Sequence, residues 1–217
     1  MSGKRWEAIL FDLDGTLIDT NDLILRSFEH VFETAGIKQW SREDMIPLMG
    51  MPLWEQMRRF TGREDVHDLV RIYRKFNLYN HDRYVKPFPD LQEVIMSLHQ
   101  AGYRLGVVTS KMRYTSELGL SLYKVLHHFE SMVTIEDVRN PKPHPEPMRV
   151  AMKNMNLMPS QLLMVGDSSA DLASARAAGI STVAVEWSLK TKDELEKYQP
   201  TFWVKTLKDL EVLCGIK

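Results

Sequence analysis

The sequence predicts an α/β fold, a Rossmann-like parallel sheet flanked by helices, with a small α-helical lobe inserted near its start. Three observations predict it. Short apolar runs recur at Ile9 to Phe11, Leu105 to Val108, Met132 to Ile135, Leu162 to Val165 and Thr182 to Val185. Such runs suit parallel strands, which are buried on both faces. Helix-like stretches separate most of them, at Leu91 to His99, Met148 to Met155, Asp171 to Ala178 and Lys192 to Tyr198, and strands alternating with helices argue for a parallel sheet. One long interval, from Thr20 to about Val85, holds no strand pattern at all.

That interval reads as helices. Leu23, Ile24, Phe28, Val31, Phe32 and Ala35 follow helical spacing, with Gly36 as a stop. Ser41 with Asp44 forms a capping-box pattern for a short helix. Pro52 opens a further helix over Leu53 to Phe60. Leu69, Ile72, Tyr73 and Phe76 mark a longer one, and Pro87 and Pro89 stiffen the return to the sheet. The expected organisation is an α/β core of residues 1–18 and 86–217, with residues 19–85 as a helical cap over the carboxyl ends of the strands.

The chain has 217 residues with 44% apolar content, enough for a sizeable core. Lys and Arg total 28 against 29 Asp and Glu, so the balance gives no general affinity for nucleic acid or for an anionic membrane. There is no apolar run of spanning length. The segment Met1 to Trp6 is polar and basic, without a signal-peptide apolar region. A lone cysteine, Cys214, cannot form an internal disulfide and reads as a packing residue. Together these fit a reducing, cytoplasmic setting.

Four segments at strand ends carry the candidate chemistry. Ligand crevices of open α/β sheets lie outside the carboxyl ends of strands. The first strand ends in Phe11-Asp12-Leu13-Asp14-Gly15-Thr16. A carboxylate there can attack phosphorus, and a second nearby acid can take a separate acid/base role. Thr109-Ser110-Lys111 follows the second run and offers a hydroxyl, backbone N–H groups and the next helix N-terminus to phosphoryl oxygens. Lys142 lies between prolines in Asn140-Pro141-Lys142-Pro143-His144-Pro145, where its ammonium can offset a carboxylate and a phosphate. Gly166-Asp167-Ser168-Ser169-Ala170-Asp171 offers hard oxygen ligands suited to Mg²⁺. Each segment also has a purely structural reading: acids in a turn, an N-cap cluster, a solvated proline loop, and a helix cap at Asp167 or Ser168. His144 reads as a loop residue.

Taken together, the four segments and the insertion resemble the haloacid dehalogenase superfamily across essentially the whole chain. The resemblance implies Asp12 as nucleophile, Asp14 as acid/base, Thr109 as the hydroxyl of the second motif and Lys142 as the lysine of the third. It implies Mg²⁺ held at Asp12, Asp14 through its backbone carbonyl, and Asp167, with Asp171 as ligand or outer support. Asp14 sets the chain apart from the dehalogenase and ATPase branches, and the insertion resembles a type 1 cap.

Within the superfamily, Leu17 to Asn21, Tyr73 to Asn77, Val108 to Arg113 and Leu195 to Tyr198 resemble pyrophosphatases of the PpaX type in Gram-positive bacteria. That likeness implies hydrolysis of the inorganic pyrophosphate released when serine-phosphorylated HPr is dephosphorylated, a pathway link carried by resemblance alone. Phosphoglycolate phosphatases are close relatives, so a small organic phosphate is the alternative substrate, and a β-phosphoglucomutase-type reaction a second. Gly50-Met51-Pro52 departs from the pattern at Met51, where proline is expected. Substrate contacts are expected from Gly15, Thr109, Ser110, Lys111 and Arg113, with Lys111 and Arg113 facing a second phosphate. Arg58, Arg59 and Arg63 on the cap are further candidates for that phosphate and also read as a solvated face.

Overall fold

The computed structural model describes residues 4–216; Met1 to Gly3 and Lys217 lie outside the described residues. In chain order the elements begin with β1 (Ala8–Phe11), β2 (Ile18–Asp19), α1 (Asn21–Thr34), α2 (Arg42–Met45), α3 (Leu53–Thr61), α4 (His67–Tyr84), β3 (Lys86–Pro87), α5 (Leu91–Gln100), β4 (Arg104–Val108) and α6 (Arg113–Leu122). They continue with β5 (Phe129–Val133), α7 (Glu146–Met155), β6 (Leu162–Gly166), α8 (Ser169–Ala177), β7 (Ser181–Val185), α9 (Lys192–Glu196), β8 (Phe202–Val204) and α10 (Asp209–Leu213).

Six strands form one parallel sheet in the order β5-β4-β1-β6-β7-β8. β1 sits in the middle, and every residue from Ala8 to Phe11 is fully buried. Alternate side chains of one strand feed two different cores. Ile9, Phe11, Leu105 and Val107 join one apolar cluster, and Ala8, Leu10, Leu162 and Met164 join another. This two-sided burial is why the strands read as unbroken apolar runs.

The interval between Asn21 and Tyr84 holds four helices with their own apolar cluster. Phe28 lies at its centre, with ring centroids 5.0 Å from Phe60 and 4.9 Å from Tyr73. α1 and α4 carry most of it, and both cross back to the sheet at one place. There β2 and β3 form a two-residue antiparallel ribbon, pairing Ile18 with Pro87 and Asp19 with Lys86. Ser41 accepts the Asp44 N–H as the cap of α2, as its sequence predicts. Pro52 takes the residue before α3 rather than its first turn.

Two differences from the sequence pattern have clear causes. The fifth strand runs Phe129–Val133, earlier than the expected Met132 to Ile135. It is an edge strand, and Glu130 and Ser131 interrupt its apolar run; Thr134 then caps a short turn with Asp137. At the other edge, β8 has only three residues and gives no readable run. Cys214 is half-buried near the C-terminal end, and burial pushes its thiol up to about 11, in keeping with a packing residue. Among the described residues no helix is long and apolar enough to cross a membrane.

Candidate active site

The carboxyl ends of β1, β4 and β6 are neighbours in the sheet, so their terminal residues converge. Asp12, Asp14, Thr109, Ser110, Lys111, Lys142 and Asp167 all line one cleft of about 300 Å³ beneath the inserted helices.

Asp12 directly follows β1 and donates its N–H to the Val165 carbonyl of β6 at 2.9 Å. Lys142 reaches it from the loop before α7. Its ammonium donates to Asp12 Oδ1 at 2.8 Å, the Val108 carbonyl at 2.9 Å and Asp171 Oδ1 at 2.5 Å. All three hydrogens of the ammonium are thereby used. The other oxygen of Asp12 accepts no hydrogen bond among the described residues. Burial raises Asp12 from an ordinary 3.8 to about 7, with Asp171 adding to the rise and Lys142 opposing it. Burial alone would lower Lys142, but Asp12 and Asp171 outweigh it and hold the ammonium above its usual value.

Asp167 lines the same cleft as Asp12. Burial, then Asp171 and Asp12, raise its carboxyl well above the ordinary range. Ligand oxygens of Asp12, Asp167 and Asp171 lie within 4.8 Å of one another. Three carboxylates facing one lysine leave negative charge uncompensated, and hard oxygens in that state fit a divalent cation such as Mg²⁺. Asp171 is placed for support rather than direct contact. One of its oxygens holds Lys142, and the other accepts the Ser168 N–H and hydroxyl at 3.1 and 2.6 Å in the capping box of α8. Both sequence readings of this segment therefore hold at once, as helix cap and as acidic cluster.

Gly15 is where the backbone has no choice. Its φ is +82°, and a Cβ there would lie 2.3 Å from an Asp167 oxygen. Glycine lets the chain turn after Asp14 while Asp167 closes in. The N–H of Gly15 donates to the Ile18 carbonyl at 2.8 Å, so the expected substrate contact from this residue is replaced by a turn-forming one. Asp14 instead presents its side chain, and Lys111 Nζ bonds both its oxygens at 2.9 and 3.1 Å.

Arg113 also differs from expectation. Its guanidinium donates to Asp137 at 2.8 Å and to the Met132 carbonyl at 3.1 Å, outside the cleft lining. Its N–H at the start of α6 bonds Glu136, so that helix end is capped by a carboxylate. Three arginines of the inserted segment find partners within it: Arg59 pairs with Glu55 and Arg63 with Asp68, while Arg58 bonds the Glu64 carbonyl. His144 stays in its loop, where Nδ1 accepts the Glu146 N–H.

The model of the haloacid dehalogenase-like hydrolases matches residues 9–185. The chain belongs to the haloacid dehalogenase-like hydrolase family. Pyrophosphatase PpaX of Bacillus velezensis is 40% identical over 217 residues, covering 100% of each chain. Pyrophosphatase PpaX of Bacillus cereus is 41% identical over 206 residues, 95% of each chain. Among solved structures, a hydrolase of the haloacid dehalogenase-like family from Streptococcus pneumoniae is 26% identical, with a TM-score of 0.85 over 98% of this chain and 99% of that one. CbbY from Rhodobacter sphaeroides, solved with phosphate, shares the fold at 22% identity, with a TM-score of 0.82 over 94% of this chain and 96% of that one. The chain is thus a phosphohydrolase of the haloacid dehalogenase-like family.

Within this family site, several cleft residues have no site role in the sequence reading. Tyr73, Arg74 and Asn77 come from α4, Gln56 from α3, and Lys190 from the loop after β7. The spacing of Tyr73 and Asn77, four apart on one helix face and both buried, was a readable signal. Lys190 also had one, a cation in a loop at the carboxyl end of a parallel strand.

Proposed function

We propose that this enzyme hydrolyses inorganic pyrophosphate in a Mg²⁺-dependent reaction through an aspartyl-phosphate on Asp12. The observation that carries the reading is the buried Asp12 at the cleft wall, with one oxygen held by a saturated Lys142 and the other accepting no hydrogen bond among the described residues. The 40% identity to pyrophosphatases over the full length supports the substrate.

Asp12 and Asp167, with the backbone carbonyl of Asp14, would hold Mg²⁺, and Asp171 would support them through Lys142 and Ser168. The cation supplies charge neutralisation for the phosphoryl oxygens. Asp12 attacks phosphorus in line while Thr109 and nearby N–H groups bind the transferring oxygens. Lys142 holds the nucleophile and offsets the growing negative charge. Asp14 gives its proton to the departing phosphate, then takes one from the water that cleaves the aspartyl-phosphate. Lys111 bonds both oxygens of Asp14 and keeps that carboxyl at the wall of the cleft. Residues 19–85 act as a cap over residues 1–18 and 86–217, moving about the β2–β3 ribbon and excluding water when closed. The setting is cytoplasmic.

A second reading rests on one feature. Ile24, Met49, Leu53, Trp54 and Leu78 give the cap side of the cleft an apolar wall, which suits a small organic phosphate better than a bare diphosphate. The kcat/KM values for pyrophosphate, phosphoglycolate and β-glucose 1-phosphate, each with and without Mg²⁺, separate the two. Pyrophosphate is expected to lead, with activity lost on chelation. A lead of more than about tenfold, or 1.4 kcal/mol, for phosphoglycolate would overturn the substrate.

A further inference from the structure

A diphosphate brings a second anionic group that the reacting site cannot neutralise. Lys142 has no free donor, since Asp12, Asp171 and the Val108 carbonyl take all three. Lys111 is paired with Asp14. Arg113, Arg59 and Arg63 pair with carboxylates, and Arg58 bonds the Glu64 carbonyl. Two cleft-lining cations remain, Lys190 and Arg74.

Lys190 stands out by its partners. Among the described residues its ammonium has no carboxylate within ion-pair distance and one hydrogen-bond acceptor, the Ile46 carbonyl across on the inserted helices. Two of its three donors are therefore without a protein partner. The site is partly buried, and burial lowers its pKa, so the charge is held at a cost that an anionic ligand would relieve. The contact with Ile46 is also easily exchanged. That carbonyl already accepts the Met49 N–H at 3.1 Å, so it keeps a partner when Lys190 leaves. The backbone holding Lys190 is fixed to the metal loop: Ser188 Oγ donates to the Asp167 carbonyl at 2.6 Å and accepts the Lys190 N–H at 2.9 Å. Arg74, on α4, lines the same cleft, with no hydrogen bond or ion pair among the described residues.

We propose that Lys190, from the core loop after β7, and Arg74, from α4 of the cap, form a subsite for the second, non-transferred phosphate of a diphosphate substrate. Lys190 then exchanges the Ile46 carbonyl for phosphate oxygens, and a phosphate bridging core and cap ties closure to the presence of both phosphates. This subsite rests on the diphosphate reading above, and its test is built so that the two can fail separately.

The probe is methylenediphosphonate, compared with inorganic phosphate, as a competitive inhibitor of p-nitrophenyl phosphate hydrolysis by the Mg²⁺-loaded enzyme. Lys190→Met is expected to raise the inhibition constant for the diphosphonate about tenfold or more, as for a hydrogen bond to a charged group, and that for phosphate far less. Lys190→Arg should recover most of the discrimination, and Arg74→Met should repeat the effect from the cap side. Equal weakening of both inhibitors would mean that Lys190 acts only as a strap to Ile46 and would overturn the subsite, as would no change in either. Pyrophosphate turnover by the wild type, measured in parallel, judges the substrate reading alone. If the wild type fails to turn it over, the diphosphonate comparison still decides the role of Lys190.

Discussion

At the scale of the residue, the chemistry rests on an unfavourable arrangement. Asp12, Asp167 and Asp171 share one close-lying ammonium, Lys142, and burial, with the neighbouring carboxylates adding to it, raises Asp12 to about 7 and Asp167 well above its usual range. Asp12→Asn removes one charge and leaves Lys142 paired with Asp171. The metal-free variant should therefore melt higher than the wild type at pH 8, by roughly 2–4 °C per kcal/mol for a chain of this size, while turnover falls by at least about a thousandfold, some 4 kcal/mol. Calorimetry and a phosphate-release assay check the two halves, and appreciable Mg²⁺-dependent turnover in the variant would remove Asp12 as nucleophile. Residues at this scale were legible where topology alone decides position. Asp12, Asp14, Thr109 and Asp167 reach one cleft because β1, β4 and β6 end side by side, and Lys142 joins them from the loop before α7. Arg113 and Gly15 were not legible, because local partners decide where a group points: Asp137 and Met132 draw the guanidinium out, and Ile18 takes the glycine N–H.

At the scale of the element, the inserted helices meet the core through a glycine. Gly50 has φ +97°, and a Cβ on it would lie 3.2 Å from the Ser168 side chain. Its carbonyl also accepts the Ser110 hydroxyl at 3.4 Å. The loop before α3 thus touches both the second and the fourth candidate segments. Gly50→Val should place a branched side chain in a left-handed conformation and push the loop off Ser168, at a backbone cost of about 1–2 kcal/mol. Because a misplacement of about 1 Å can cost a hundredfold, kcat/KM should fall by roughly tenfold to a hundredfold. The far-UV circular dichroism spectrum should stay unchanged. Central strands and amphipathic helices were readable from periodicity, because their burial is imposed by the layers on each side. The edge strands β5 and β8 were not, because an edge tolerates Glu130 and Ser131 or needs only three residues. Lys190 lies in a loop, where no period marks it and its position after β7 is the one signal.

At the scale of the whole molecule, the acidic cluster links folding to pH and metal. A carboxyl raised in the folded state binds its proton more tightly there than in the unfolded chain. Stability of the metal-free protein should therefore fall as pH rises from about the ordinary 3.8 of Asp12 to about 7, and the loss should be complete above that. Asp167 acts in the same direction. Mg²⁺ should reverse this, most strongly at pH 8, by about 2.7 kcal/mol at a hundred times its dissociation constant. Melting curves from pH 4 to 8, with Mg²⁺ and with chelator, test it. Equal metal effects at pH 5 and pH 8 would mean that these carboxylates do not hold the ion.

The central claim is that the phosphoryl group passes through Asp12. An Asp14→Asn variant turning over pyrophosphate with Mg²⁺ can be quenched in acid, and the peptide carrying Asp12 weighed by mass spectrometry. Loss of the acid/base should slow release of the group, so the peptide is predicted to carry one phosphoryl on Asp12. Phosphate released over many turnovers from a peptide that is never modified would contradict the account.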